Sequence, residues 1–326
     1  MALPAGSCGA HRPSLSDPRD GRIALAHLRS LIRHFPALIA LATGALASHG
    51  CSRPAPHAAA TIQVVDDAGD TVRLARPARR VVSLIPATTE LLFAIGADSD
   101  VVGRTSYCDY PPAAQLVPDL GDGIKPSLEA ILSRHPDLVL LYHSGQNAAV
   151  AGRLRQLGIQ VIRLNTDRLS DVVRIGRLLG ILTGHRAGAD SLAEVFDTAL
   201  ASATIHPAAR RPRVLLLVWE QPPMTIGRGS FLHELVERAG GENLFADVPA
   251  SSGVVSIEAV AHRNPDLVFT TGPGPAAFAS RPEWQVVPAI RKHRFLRVTG
   301  SEFNRPSPRA PQAIRTLARL MRTATR

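Results

Sequence analysis

Ser127-Leu-Glu-Ala-Ile-Leu-Ser-Arg-His-Pro-Asp-Leu-Val-Leu140 and Ser256-Ile-Glu-Ala-Val-Ala-His-Arg-Asn-Pro-Asp-Leu-Val-Phe269 are near-copies, 129 residues apart. Both read the same way. Ser is a favoured N-cap, and the Glu two residues on falls in the first turn, where the helix dipole favours negative charge. Pro-Asp then turns the chain into a short apolar run, as a buried strand requires. One helix–turn–strand unit in each half argues for two equivalent lobes.

The flanking sequence extends the pattern. Arg79-Arg-Val-Val-Ser-Leu-Ile85 is a buried strand ended by Pro86, and Thr88-Thr-Glu90 opens a helix that stops at Gly96. Val101–Gly103 is a second short strand, followed by the loop Tyr107-Cys-Asp-Tyr-Pro-Pro112. After the first repeat come a helix over Ala148–Leu157 and a strand over Gln160–Leu164. The order restarts at the strand Arg213–Val218 and a loop, Trp219 to Gly229. A helix over Phe231–Ala239, the second repeat, a helical stretch over Trp284–Lys292, a strand over Phe295–Val298 and a helix over Pro311–Thr323 complete it. Strands alternating with helices argue for parallel sheets.

Between the halves, Ser170–Ala203 has helical periodicity, with glycine at 176, 180, 184 and 188. Glycines four apart on one helix face permit close approach of another backbone, at about 1 kcal/mol each in propensity. A helix broken near Gly184 is the other reading. The expected fold is α/β, two Rossmann-like lobes with parallel sheets joined by one long backbone helix. Its expected parts are a signal region (1–50), a tether (51–60), an N-terminal lobe (61–168), the connecting helix (169–204) and a C-terminal lobe (205–326).

The N-terminus reads as a targeting segment. Arg29 and Arg33 precede the apolar run Phe35–Ala47, of secretory length and too short to span a membrane. Gly50-Cys51 then resembles a bacterial lipoprotein signal, with Cys51 as the lipidated first residue, although Ser48 and His49 depart from the usual pattern. A plain signal peptide cut near Ala47 is the alternative. Residues 1–28 fit neither structure nor signal, as an upstream start codon would explain. The Pro- and Ala-rich residues 52–60 suit a tether.

The net charge of +10 includes five arginines against two aspartates in residues 1–50, so +7 belongs to the rest. Those arginines are scattered singly, without basic runs or interleaved aromatics, which argues against nucleic-acid binding. Cys8, Cys51 and Cys108 offer no disulfide framework or metal spacing, and the twelve histidines show no ligand pattern. GxSxG, P-loop and Rossmann glycine fingerprints are absent. No nucleophile–base–acid set can be assembled, so an exported hydrolase is the weaker class and the expectation is no enzyme and no cofactor.

Arg80-Val-Val-Ser-Leu-Ile-Pro-Ala-Thr-Thr-Glu90, Ser106-Tyr-Cys-Asp-Tyr-Pro-Pro112, both repeats, Gly240-Gly-Glu-Asn-Leu-Phe245 and Arg305-Pro-Ser-Pro-Arg309 together carry a resemblance. Over about residues 61–326 the chain resembles the helical-backbone periplasmic binding proteins that deliver cobalamin, haem or iron–siderophores to ABC importers. The Tyr-x-Asp-Tyr-Pro-Pro and Arg-x-Ser-Pro-Arg segments are most similar to the cobalamin branch. The resemblance implies a monomer outside the cytoplasm, lipid-anchored through Cys51, that carries a cobalt corrinoid or an iron chelate. Its partners would be a permease dimer and its ATPase. Glu129 and Glu258 would dock the lobes onto that permease. Tyr107, Tyr110 and Trp219 would face the ligand, and Arg305 would reach it from the C-terminal lobe. Arg305 also reads as a structural ion-pair member, and Tyr110 as loop packing. The cobalamin receptors carry tryptophans just before each docking helix, where this chain has Gly123 and Ser252.

Overall fold

A computed structural model describes residues 61–206, 210–271 and 277–324. The signal region, the tether and Cys51 lie outside them. The first lobe opens with an antiparallel hairpin, β1 (Ile62–Val65) and β2 (Thr71–Leu74). Its sheet follows: β3 (Val81–Ser83), helix α1 (Pro86–Ala94), β4 (Val101–Arg104), α2 (Leu128–Leu132), β5 (Leu138–Tyr142), α3 (Gly145–Gln156) and β6 (Gln160–Leu164). These four strands run parallel in the order β4-β3-β5-β6. The apolar runs behave as expected: Val81, Val82 and Leu138–Leu141 are completely buried, as a sheet covered on both faces requires. Pro86 takes the first turn of α1, where its missing N–H costs nothing.

The connector comprises two helices, α4 (Ser170–Thr183) and α5 (Arg186–Ala203), in place of one long backbone helix. Gly184 is the cause. It adopts φ +80° and caps α4 in the left-handed region, where other residues are strained. Helix α4 packs on α1 and belongs to the first lobe. Helix α5 alone crosses between lobes. Its first turn lies against Ile95, and the residue after its C-cap, Ile205, donates its N–H to the Arg238 carbonyl. Eighteen residues span about 27 Å at 1.5 Å each.

The glycine series serves close packing. A Cβ on Gly180 would lie 2.6 Å from that of Ala189, so α4 and α5 meet through small residues. At Gly188 a Cβ would come within 2.1 Å of the Ile95 carbonyl oxygen, a backbone atom that cannot swing aside. Gly188→Ala is therefore expected to destabilise the protein by roughly 1–3 kcal/mol, the usual cost of overpacking. Urea denaturation checks this, and an unchanged midpoint would contradict the assigned contact.

The second lobe contains β7 (Arg213–Glu220), β8 (Pro223–Ile226), α6 (Phe231–Arg238), β9 (Glu242–Asn243), β10 (Ser252–Val254), α7 (Ile257–Arg263), β11 (Leu267–Thr271), α8 (Pro288–Arg291), β12 (Phe295–Val298) and α9 (Ala310–Ala324). Strands β9, β11 and β12 continue the parallel pattern with β7. The stretch after Val218, read as a loop, instead extends β7 and returns as β8, with Glu220 opposite Pro223 across a two-residue turn. Strand β10 then pairs antiparallel with β8. Pro288 divides the stretch 284–292 into a 3₁₀ turn ending at Val286 and the short α8. All described residues belong to one compact unit, whose largest buried cluster runs from Val72 through α4 and α5 to α9.

Candidate functional site

The strand ends determine where a site can form. Open parallel sheets bind ligands beyond the carboxyl ends of their strands. There the two lobes enclose a cleft of about 730 Å³. The first lobe contributes Leu84–Ala87 after β3, Tyr107 and Asp109 after β4, Asp122–Ile124 ahead of α2, Tyr142 and Asn147 around the start of α3, and Asp167 after β6. The second contributes Ser230 and Phe231 at the start of α6, Ser251 ahead of β10, and Ser301, Asn304 and Arg305 after β12.

Charged and polar ties between the lobes flank this cleft. On one side Glu90 of α1 is buried, at 3% exposure, as the one charged residue of that helix. Its Oε1 accepts from Arg305 Nε and Arg309 Nη2, each at 2.7 Å, and its Oε2 accepts from Arg309 Nε at 3.0 Å. Arg305 also donates to the Tyr107 carbonyl at 2.8 Å and to Asp109, while Arg309 pairs with Glu302 at 2.8 Å. Burial works against the charged form of Arg309, but Glu90 outweighs it and raises the Arg309 pKa. Burial likewise opposes ionisation of Asp109, yet Arg305 holds it below the usual carboxylate range. On the other side Arg168 pairs with Glu234, whose Oε2 also accepts from the Leu169 N–H at 2.8 Å. The Phe231 N–H donates to the Asp167 carbonyl at 2.6 Å.

Tyr107 and Arg305 meet in the cleft, but in different roles. Tyr107 is 58% exposed and lines the cavity. The guanidinium of Arg305 is committed to Glu90, Asp109 and a backbone carbonyl, which is the ion-pair reading of this residue. Tyr110 lies outside the lining, with Arg309 stacked 4.1 Å above its ring. Trp219 is also outside it, 61% exposed, with its indole N–H donated to the Gln221 carbonyl at 2.9 Å. Gly123 does line the cleft at φ +74°, and a Cβ there would lie 2.6 Å from Thr105 Cγ2. A bulky side chain is thus disfavoured at this position. Cys108 is buried, its sulfur within hydrogen-bonding distance of Thr89 (3.1 Å) and Thr105 (3.3 Å).

Glu129 and Glu258 occupy equivalent, exposed places in the first turns of α2 and α7. Ser127 and Ser256 cap these helices, accepting from the backbone N–H of Ala130 and Ala259. The Glu258 carboxylate is held below the usual range by its own backbone N–H and the Ser256 hydroxyl.

Sequence reasoning missed Glu90, Asp122, Asn147 and Asp167 as site residues. Glu90 carried a usable signal, a lone carboxylate in a short helix with no other charged residue, which burial would force to find a cation. The other three are brought together only by the meeting of separate loops. Among the described residues, no group of three or more His, Cys, Asp or Glu is placed to hold a metal ion.

The sequence profile of the periplasmic binding protein family matches residues 81–301. A vitamin B12-binding protein of Salmonella paratyphi A is 30% identical over 241 residues, covering 74% of this chain and 89% of that one. An uncharacterized ABC transporter substrate-binding lipoprotein of Bacillus subtilis is 28% identical over 300 residues, covering 86% and 94%. Among solved structures, the periplasmic haem-binding protein of Roseiflexus sp. RS-1 superposes with a TM-score of 0.67 at 25% identity, covering 76% of this chain and 99% of that one.

Proposed function

The chain belongs to the periplasmic binding protein family, and we propose that it captures a cobalamin-class corrinoid in the interlobe cleft and hands it to an ABC importer. The observation that carries the reading is the charge of the cleft. Arg305 is the only cation among its described lining residues, and it is already committed to two carboxylates. Haem, with its ionised propionates, and the anionic ferric siderophores need unspent cations. A corrinoid with a periphery of neutral amides does not. The B12-binding relative supports the same choice.

Tyr107 offers the cargo an aromatic face. The protein acts as a carrier, its product being the released ligand. Glu129 and Glu258 are the contacts offered to the two halves of a permease, one from each lobe, as a two-fold partner would read them. The loop Asp122–Ile124 and Ser251 line the cleft and lie just ahead of these helices in the chain, so force applied at either docking point reaches the cargo directly. Lipidation at Cys51 would hold the protein at the outer face of the cell membrane, as the name of the Bacillus relative suggests for that protein.

Calorimetric titration of the protein from Cys51 onward tests the cargo. Saturation at one cyanocobalamin per protein, with Kd about 1 μM or below (about −8 kcal/mol), is expected. Haemin and a ferric catecholate siderophore should bind far more weakly. Saturable haemin binding without cyanocobalamin binding would transfer the assignment to haem, and turnover of a substrate without stoichiometric binding would make the protein an enzyme.

A further inference from the structure

The cleft contains more hydrogen-bond acceptors than its own donors satisfy. Three carboxylates line it: Asp109, Asp122 and Asp167. Asp109 is answered by Arg305. Asp122 Oδ1 accepts backbone N–H groups, from Lys125 at 3.1 Å and Ile124 at 2.8 Å, and these, with a smaller contribution from the Lys125 charge, hold its pKa below the usual carboxylate range. Lys125 itself is not part of the lining. Asp167 Oδ1 accepts from the Tyr142 hydroxyl at 2.9 Å. Burial, reinforced by that carboxylate, pushes the Tyr142 pKa up to about 12, so the phenol keeps its proton and remains a donor.

Asn147 adds a neutral acceptor. Its Nδ2 donates to the Tyr142 carbonyl at 2.9 Å, which fixes the orientation of the amide, since two carbonyl oxygens cannot share a proton neither carries. The side-chain oxygen is then left without a partner in a residue only 5% exposed. A buried acceptor of this kind is costly unless something donates to it.

We propose that the cleft selects cargo that presents N–H donors, has no peripheral carboxylate and carries no net negative charge, with Asp122, Asp167 and Asn147 as its specificity-determining residues. This rests on the corrinoid reading and sharpens it. Primary amides at the cargo's edge donate to Asp122 and Asp167, and to the oxygen of Asn147 once that side chain, whose oxygen has almost no exposed surface, turns toward the cargo. A carboxylate in place of such an amide brings an acceptor against acceptors and a like charge beside Asp122 and Asp167, from which the bound cargo itself excludes water. Discrimination by a missing or mismatched polar group is steep when the site's own groups are left unpaired.

The test is calorimetric titration of the intact protein with cyanocobalamin and with its monocarboxylic acid derivatives, in which one peripheral amide is hydrolysed. The wild type is expected to bind neutral cyanocobalamin at least about tenfold more tightly than one or more of the acids, a difference near 1.4 kcal/mol. Asp122→Asn with Asp167→Asn should bring that ratio to within about threefold, because isosteric amides keep the local hydrogen bonds and remove the charge. Asn147→Ala should weaken cyanocobalamin binding by roughly fivefold to tenfold, the worth of one hydrogen bond. Equal affinity of the wild type for cyanocobalamin and every acid would overturn the proposal, and that comparison requires no variant to fold. An unchanged ratio in the double Asn variant would overturn it too. Binding of haemin without cyanocobalamin would be a separate failure, of the corrinoid reading itself, and would take this proposal with it.

Discussion

Reversing the charge at both Glu129 and Glu258 to lysine is expected to abolish cargo uptake by the assembled importer, while the isolated protein keeps its affinity for cyanocobalamin. The two carboxylates sit in exposed first turns of α2 and α7, one on each lobe. Neither lines the cleft. Each helix retains its serine cap after substitution, so the fold loses a water-screened dipole interaction and, at Glu258, exposed hydrogen bonds from its own N–H and the Ser256 hydroxyl. On the proposed docking, a two-fold partner that offers basic residues would meet the pair together, and like charges opposed at two contacts would cost several kcal/mol. Reconstituted vesicles with trapped ATP provide the uptake measurement and calorimetry provides the affinity. Uptake that survives the double change would remove both residues from the interface. Loss of ligand binding as well would place them in the cleft's machinery.

Replacing Glu90 by alanine has the largest expected effect on stability. The carboxylate answers Arg305 and Arg309, whose side chains are only 10% and 13% exposed, so its removal strands charge in a poorly hydrated place. Breaking one side of a buried pair costs about 3–5 kcal/mol. Arg305 would keep Asp109 and Arg309 would keep Glu302, which puts the expected loss at the lower end, about 3 kcal/mol. At about 2–4 °C per kcal/mol for a chain of this size, Tm should fall by roughly 6–12 °C. Glu90→Gln keeps the shape and loses the charge, so a comparable fall would identify the charge as the cause. A loss under about 1 kcal/mol from Glu90→Ala would mean that the tie between the lobes is not held by this carboxylate.

The ties on both flanks of the cleft, together with the single crossing helix α5, describe a stiff clamp. Large hinge motion would separate Glu90 from its arginines and Arg168 from Glu234. If the importer docks on α2 and α7 as proposed, cargo release would call for force at those helices, ahead of which lie segments of the cleft wall.

Local chemistry made much of this legible in advance. Serine caps, Pro-Asp turns and apolar β-branched runs act over a few residues, and they placed α2, α7, β5 and β11 with only the ends to adjust. The repeat gave two equivalent lobes for the same reason, since each copy carries its own cap and its own strand. The hairpin of β7 and β8 was missed because its Pro-rich turn reads as a loop until β10 is present to pair with it. The single connecting helix failed at Gly184, where periodicity continues through a residue that takes a left-handed backbone.

The site divides along the same line. Glu129 and Glu258 stand out in the sequence because their exposed placement follows from one capped helical turn each. Tyr110 and Trp219 did not reach the cleft, since being aromatic says nothing about which way a loop or hairpin faces. Arg305 did reach it, but its guanidinium is taken by Glu90, which lies 215 positions earlier in the chain. The sequence by itself determined the lobes, their caps and the exposed carboxylates in the first turns of α2 and α7, all products of short-range geometry. Only the tertiary structure decided the charge of the cleft, because burial and the pairing of distant side chains determine which of its charges remain free for a ligand.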